Sequence, residues 1–134
     1  MSAVPKRILV VDDAATVRMY HRQILEGAGY AVEEAFNGIE ALEKALSQPY
    51  DLYLVDINMP KKDGYAFLRD LRQHDEIAQA PAIMISTEAE GQDRTRAYES
   101  GANHYLIKPI KPDQLLWYCR LFLAEGLAAT GVAA

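Results

Sequence analysis

Four short apolar runs in this chain each end on residues that can do chemistry. Residues 8–11 run into Asp12 and Asp13, 52–55 into Asp56, 82–85 into Ser86, and 104–107 into Lys108. Runs of this length, apolar on both faces, suit strands of a parallel sheet covered by helices on both sides. The carboxyl ends of such strands share one rim, and the crevice outside that rim is where open α/β sheets bind ligands. Three carboxylates, a hydroxyl and an ammonium are thereby expected in one place. Clustered carboxylates repel one another, and such a cluster persists when a cation neutralises it. With oxygen ligands and no competing His or Cys, the expected ion is a hard one such as Mg²⁺. A Lys and a hydroxyl on the far side suit a group rich in anionic oxygens, which means a phosphoryl group. A carboxylate can be the nucleophile in phosphoryl transfer and becomes an acyl phosphate. Asp56 is the most central of the three and the natural acceptor. Taken singly, each residue also has a plainer role. Asp56 could form its turn, Asp12 or Asp13 could cap the next helix, Ser86 could bond the backbone, and Lys108 with Pro109 could be only a turn. Together the plainer roles require four coincidences.

The segments between the runs must carry the helices that build this rim. Val17, His21, Ile24, Leu25 and Ala28 recur at helical spacing and stop near Gly27 and Gly29. Residues 31–36 alternate weakly as a second strand, and Ile39, Leu42, Ala45 and Leu46 give a second helical face closed by Pro49. A third helix carries Phe67, Leu68 and Leu71. The fourth, over residues 92–100, offers only Ala97 and Tyr98 to its inner face and should be lightly packed. Pro112 and Asp113 open a fifth, with Leu115, Leu116, Cys119, Phe122 and Leu123 as its stripe. The expected fold is α/β, a single doubly wound five-stranded parallel sheet with five helices. The alternation alone leaves the strand order open, 2-1-3-4-5 being a common arrangement.

At 134 residues and 50% hydrophobic, the chain suits one domain with a substantial core. Its net charge of −5 gives no basic footprint for nucleic acid or anionic membranes. The single Cys119 excludes an internal disulfide and a thiolate metal cluster, and suits a reducing compartment. The apolar run before Asp12 is too short for a signal-peptide core or a membrane span, so the expected address is the cytoplasm. His21, His74 and His104 share no ligand spacing and read as satisfied or surface residues. Met19, Met59 and Met84 read as core filling, and Lys61 and Lys62 as solvated loop charges.

The segments VVDDAATVR, LYLVDINMPKKDGY, ISTEAE and YLIKPIKPDQL resemble the signatures of bacterial response-regulator receiver domains, in length and style the stand-alone, CheY-like chemotaxis type. The resemblance implies the flavodoxin-like order 2-1-3-4-5, with a receiver domain over 1–125 and no output domain; the Ala/Gly-rich residues 126–134 read as a frayed tail. It implies that Asp56 accepts a phosphoryl group from a histidine kinase. Mg²⁺ is implied as cofactor, held by Asp13, Asp56 and the backbone carbonyl of Asn58, with Asp12 acting through water. Lys108 pairs with the acceptor carboxylate and then with a phosphoryl oxygen. Ser86 bonds another oxygen and draws its loop inward, and Tyr105 then turns from exposed to buried. Asn58 and Glu88 tune hydrolysis, while Thr87 stands where a smaller residue is usual and narrows donor access. The implied protein is a monomer and not a turnover enzyme. It binds a downstream protein through a face of helix 4, strand 5 and helix 5, the flagellar motor switch in the chemotaxis reading. A phosphorelay carrier serving a histidine phosphotransfer protein is the alternative, and a non-phosphorylated binding module is a third. A phosphohydrolase of the haloacid-dehalogenase type would want an acid two residues after its nucleophile, where Asn58 stands. A flavodoxin-type flavin carrier would need a phosphate loop that Asp12 and Asp13 would repel.

Overall fold

The computed structural model describes residues 4–87 and 90–123. Strands and helices alternate along the chain: β1 (Arg7–Val11), α1 (Ala15–Gly27), β2 (Ala31–Ala35), α2 (Gly38–Ser47), β3 (Leu52–Asp56), α3 (Gly64–Gln73), β4 (Ala82–Ser86), α4 (Gly91–Ser100), β5 (His104–Ile107) and α5 (Pro112–Phe122). The strands form one parallel sheet in the order β2-β1-β3-β4-β5. Every residue of β3 and β4 is buried, as their unbroken apolar runs require of central strands. Alternate side chains feed two cores. Leu9, Val11, Tyr53, Val55 and Met84 meet α2, α3 and α4 on one face. Ile8, Val10, Leu54, Ile83 and Leu106 meet α1 and α5 on the other.

Several inner faces differ from those expected. α2 buries Gly38, Ala41 and Ala45, whereas Ile39 and Leu46 are 43% and 45% exposed. Small residues let this helix approach closely; a Cβ on Gly38 would lie 2.6 Å from the Lys62 carbonyl oxygen. Large side chains are left on the flank. In α1 the buried stripe is His21 and Leu25, flanked by Val17 and Ile24, and Ala28 is exposed. Met19 is 56% exposed and not core filling, because two residues turn a helix by about 200° and set it opposite His21. Met59 and Met84 are buried as expected.

α4 is lightly held, and by different residues. Tyr98 is 45% exposed, while Ala97 and Ser100, three apart, form the buried stripe. The Ser100 hydroxyl donates to the Arg96 carbonyl at 2.8 Å, which satisfies it. The helix ends at Gly101, whose φ of +118° favours glycine and where a Cβ would lie 2.7 Å from Arg72 Cγ. Arg72 at the end of α3 donates to the Gly101 carbonyl from Nε (3.1 Å) and Nη2 (2.9 Å). It also reaches the Ala80 carbonyl at 2.8 Å and Asn103 Oδ1 at 3.0 Å, binding the carboxyl end of α4 to two neighbouring connections.

Tyr53 is fully buried, edge-on to Phe67 with ring centroids 5.9 Å apart. Its hydroxyl finds no hydrogen-bond partner among the described residues, and burial pushes its pKa up to about 12. A buried hydroxyl without a partner costs about 1–3 kcal/mol. Tyr53→Phe is therefore expected to raise unfolding stability by about 1 kcal/mol in urea titration. A loss of similar size would show that the hydroxyl is bonded.

Candidate functional site

The parallel register brings the chemistry-bearing strand ends together. Val11 pairs with Val55, Asp56 with Ile85 and Ser86 with Ile107, so Asp12, Asp56, Ser86 and Lys108 fall on one rim. The Lys108 backbone N–H donates to the Ser86 carbonyl at 2.8 Å and extends the β4–β5 pairing to the rim itself. The peptide bond from Lys108 to Pro109 is cis.

Lys108 Nζ donates to Asp12 Oδ2 at 2.8 Å and to Asp56 Oδ1 at 3.0 Å, one ammonium bridging two buried carboxylates. Asp13 is exposed, and one oxygen from each of Asp12, Asp13 and Asp56 lies within 4.8 Å of the others. Among the described residues no other group of acids, histidines or cysteines converges in this way. None of His21, His74 and His104 belongs to this group. His74 Nδ1 lies 2.7 Å from the Asp70 carbonyl, and His104 stacks on Tyr118 at 4.4 Å.

Burial is the main force on the Asp56 pKa and raises it to about 6. Asp12 and, more weakly, Asp13 add to the rise, and Lys108 opposes it. Burial alone would lower the Lys108 pKa, but the hydrogen bond it donates to Asp12 and the charge of Asp56 reverse that, and the net shift is upward. The site is therefore a charged pair with surplus negative charge, in need of a further cation. Oxygen donors at this mutual spacing suit a hard divalent ion.

Beyond Asp56 the chain turns sharply. The Gly64 N–H donates to the Ile57 carbonyl at 2.9 Å, and a Cβ on Gly64 would lie 2.3 Å from the Asp56 carbonyl oxygen. Only glycine lets α3 start this close to the acceptor. Ile57 is buried and Asn58 exposed at the site's edge. Ser86 is buried and Thr87 exposed, while Glu88 lies outside the described residues. Tyr105 is buried, with the Arg94 guanidinium 5.2 Å from its ring centroid. Lys62 is half-buried and ion-paired with Asp70, which corrects its reading as a solvated loop charge.

Two contacts were invisible in the chemistry-bearing residues alone. Arg18 on α1 donates to the Asp12 carbonyl at 2.6 Å, and Arg94 covers Tyr105. Neither arginine lies at a strand end, the position that selected the others.

Comparison with known proteins fits this geometry. A family model described as the response regulator receiver domain matches residues 8–120. The chain belongs to the response regulator receiver family. It is 40% identical over 110 residues to the transcriptional regulatory protein ResD of Bacillus subtilis, covering 82% of this chain and 45% of ResD. The chain spans about half the length, or less, of the curated relatives it matches. Among solved structures, the chemotaxis protein CheY4 of Vibrio cholerae superposes with a TM-score of 0.84 at 32% identity, covering 89% of this chain and 99% of CheY4. The receiver domain of sensor histidine kinase PA1611 from Pseudomonas aeruginosa has a TM-score of 0.84 at 30% identity, with 91% and 100% coverage. That structure holds a magnesium ion coordinated in its active-site cleft. Receiver domains bind Mg²⁺ at an acidic pocket, and the converging carboxylates of this receiver are consistent with that. No helix among the described residues is long and apolar enough to cross a membrane.

The raised Asp56 pKa carries a stability consequence. The folded receiver holds this proton more tightly than the unfolded chain, so the Asp56 contribution is intact below about pH 4 and lost as pH rises through about 6. Asp56→Asn should accordingly stabilise the metal-free protein near neutral pH by up to about 3 kcal/mol. The gain should vanish toward pH 4. Urea unfolding in EDTA across this range tests it; a gain independent of pH would assign the effect to something other than this ionisation.

Proposed function

We propose that this receiver is a phosphorylation-driven signalling module whose acceptor is Asp56. The observation that carries the reading is the Lys108 ammonium bridging Asp12 and Asp56 beside a third carboxylate. A carboxylate oxygen of Asp56 attacks the phosphorus of a histidine kinase's phosphohistidine. The P–N bond breaks, its electron pair returns to the imidazole, and an acyl phosphate forms. Asp13, Asp56 and the Asn58 carbonyl would hold Mg²⁺ directly, with Asp12 reaching it through water; when bound, the ion neutralises charge on the phosphoryl oxygens. Lys108 moves its ammonium from the Asp56 carboxylate to a phosphoryl oxygen, and the Ser86 hydroxyl donates to another. The acyl phosphate is lost to water within minutes, at a rate that Asn58 and Glu88 tune in this reading. The protein is thus a self-limiting switch and not a turnover enzyme on external substrates.

The signal leaves through α4, β5 and α5 to a downstream protein. Light burial of α4 and the position of Tyr105 beneath Arg94 support an element that a phosphoryl group can bias. Similarity to the chemotaxis protein CheY4 favours a chemotaxis partner, for which the motor switch is our candidate. Similarity to the receiver of a sensor histidine kinase supports the second reading, a relay that hands the group to a histidine phosphotransfer protein.

With Mg²⁺ and acetyl phosphate, intact-mass analysis should show the wild type gaining one phosphoryl group and Asp56→Asn gaining none. Thr87→Ala should gain it faster, because the exposed Thr87 flanks the donor's approach. No gain by wild type or Thr87→Ala, with this donor or with a phosphoramidate, would leave a constitutive binding module as the function.

A further inference from the structure

We propose that Arg18 is a positioning residue for the metal-binding acids, fixing the peptide plane from which Asp13 projects. The inference rests on the receiver reading above and assigns a task to a residue outside the strand-end set.

Asp12 is held at four atoms. Its N–H donates to the Ala35 carbonyl at 3.0 Å, and its Oδ1 accepts from the Ala14 N–H at 2.9 Å. Its Oδ2 accepts from Lys108 at 2.8 Å, and its carbonyl oxygen accepts from Arg18 Nη1 at 2.6 Å. The first three contacts fix the strand end and the Asp12 side chain. The fourth alone acts on the peptide unit between Asp12 and Asp13. That unit is planar, so the placement of the Asp12 carbonyl oxygen sets the Asp13 nitrogen and Cα, the atoms from which its side chain projects. The Asp13 carboxylate is exposed and cannot be aimed by packing. Rotation of this peptide would swing it away from Asp56.

Arg18 is itself braced. Its Nε donates to Glu34 Oε1 at 2.8 Å, and the other Glu34 oxygen accepts from Arg22 at 2.8 Å. The side chain is only 16% exposed. The brace crosses from α1 to β2, so the loop between β1 and α1 is clamped from the edge of the sheet.

Charge and geometry predict opposite signs, which makes the inference testable. A cation removed from the neighbourhood of a divalent-ion site should by charge alone tighten metal binding. Loss of a positioning contact behind a metal ligand should weaken it, typically by 10–100-fold. Calorimetric titration of the full chain with MgCl₂ is therefore expected to show Arg18→Met binding about tenfold more weakly than wild type. Arg18→Lys should recover much of the loss, and Glu34→Gln should fall between. In metal-free protein, the Asp13 amide resonance should shift in Arg18→Met. A purely structural Arg18 would lower the melting temperature and leave the Mg²⁺ affinity of the folded protein in place. Affinity in Arg18→Met equal to wild type, or tighter, overturns the inference and leaves the receiver reading standing. Wild type that neither binds Mg²⁺ nor accepts a phosphoryl group overturns both. Should Arg18→Met fail to fold, Arg18→Gln, which also removes the cation, decides by the same criterion.

Discussion

Three carboxylate oxygens within 4.8 Å of one another at the end of a buried sheet form an arrangement that repels itself, and one ammonium holds it together. Lys108 reaches Asp12 and Asp56 at once only because β1, β3 and β5 are parallel and end on the same rim. The strand between β3 and β5 matters as much. β4 carries Ser86 to the rim, and its carbonyl anchors the Lys108 backbone. A small change in the register of any of these strands would part the pair and leave buried charges unmatched, which costs far more than a surface ion pair. The fold is therefore specified at the place where it is least comfortable.

Much of this was legible because burial and chemistry change abruptly within single residues. Apolar runs that stop on Asp12, Asp56, Ser86 and Lys108 announce both the strand and the rim. Helix faces were harder to read, because hydrophobicity marks which side chains could be buried and not which must be. In α2 the contact is made by Gly38, Ala41 and Ala45, residues with almost nothing to bury, so Ile39 and Leu46 look like better candidates and are not. Tyr98 misleads in the same way beside Ala97. Arg18 left no trace of its role, because it acts on a backbone carbonyl six residues back, and every residue has one of those.

Asp56 and α4 are held very differently within one small domain. Around the acceptor, glycine contacts, a bridging lysine and a braced arginine leave little freedom. α4 buries only Ala97 and Ser100, and it lays Arg94 and Arg96 across the rings of Tyr105 and Tyr65. Cation–π contacts at partly exposed sites are weak, on the order of 1 kcal/mol, so this helix is held by interactions that can be exchanged. A rigid centre beside a yielding element is the arrangement in which a local change of charge can select between two packings.

The Arg72 clamp gives that yielding element a pivot. Fastened at Gly101, a helix of ten residues is a rod about 15 Å long, pinned at its carboxyl end. A tilt of about 10° about the pin sweeps the far end through roughly 2.5 Å while the pinned end stays nearly still. The opposite end is the one that follows Ser86 along the chain, so the load enters where the lever arm is longest. Mechanical advantage is thus built into an arginine that sits at the start of β4 and β5, opposite the rim that carries the chemistry.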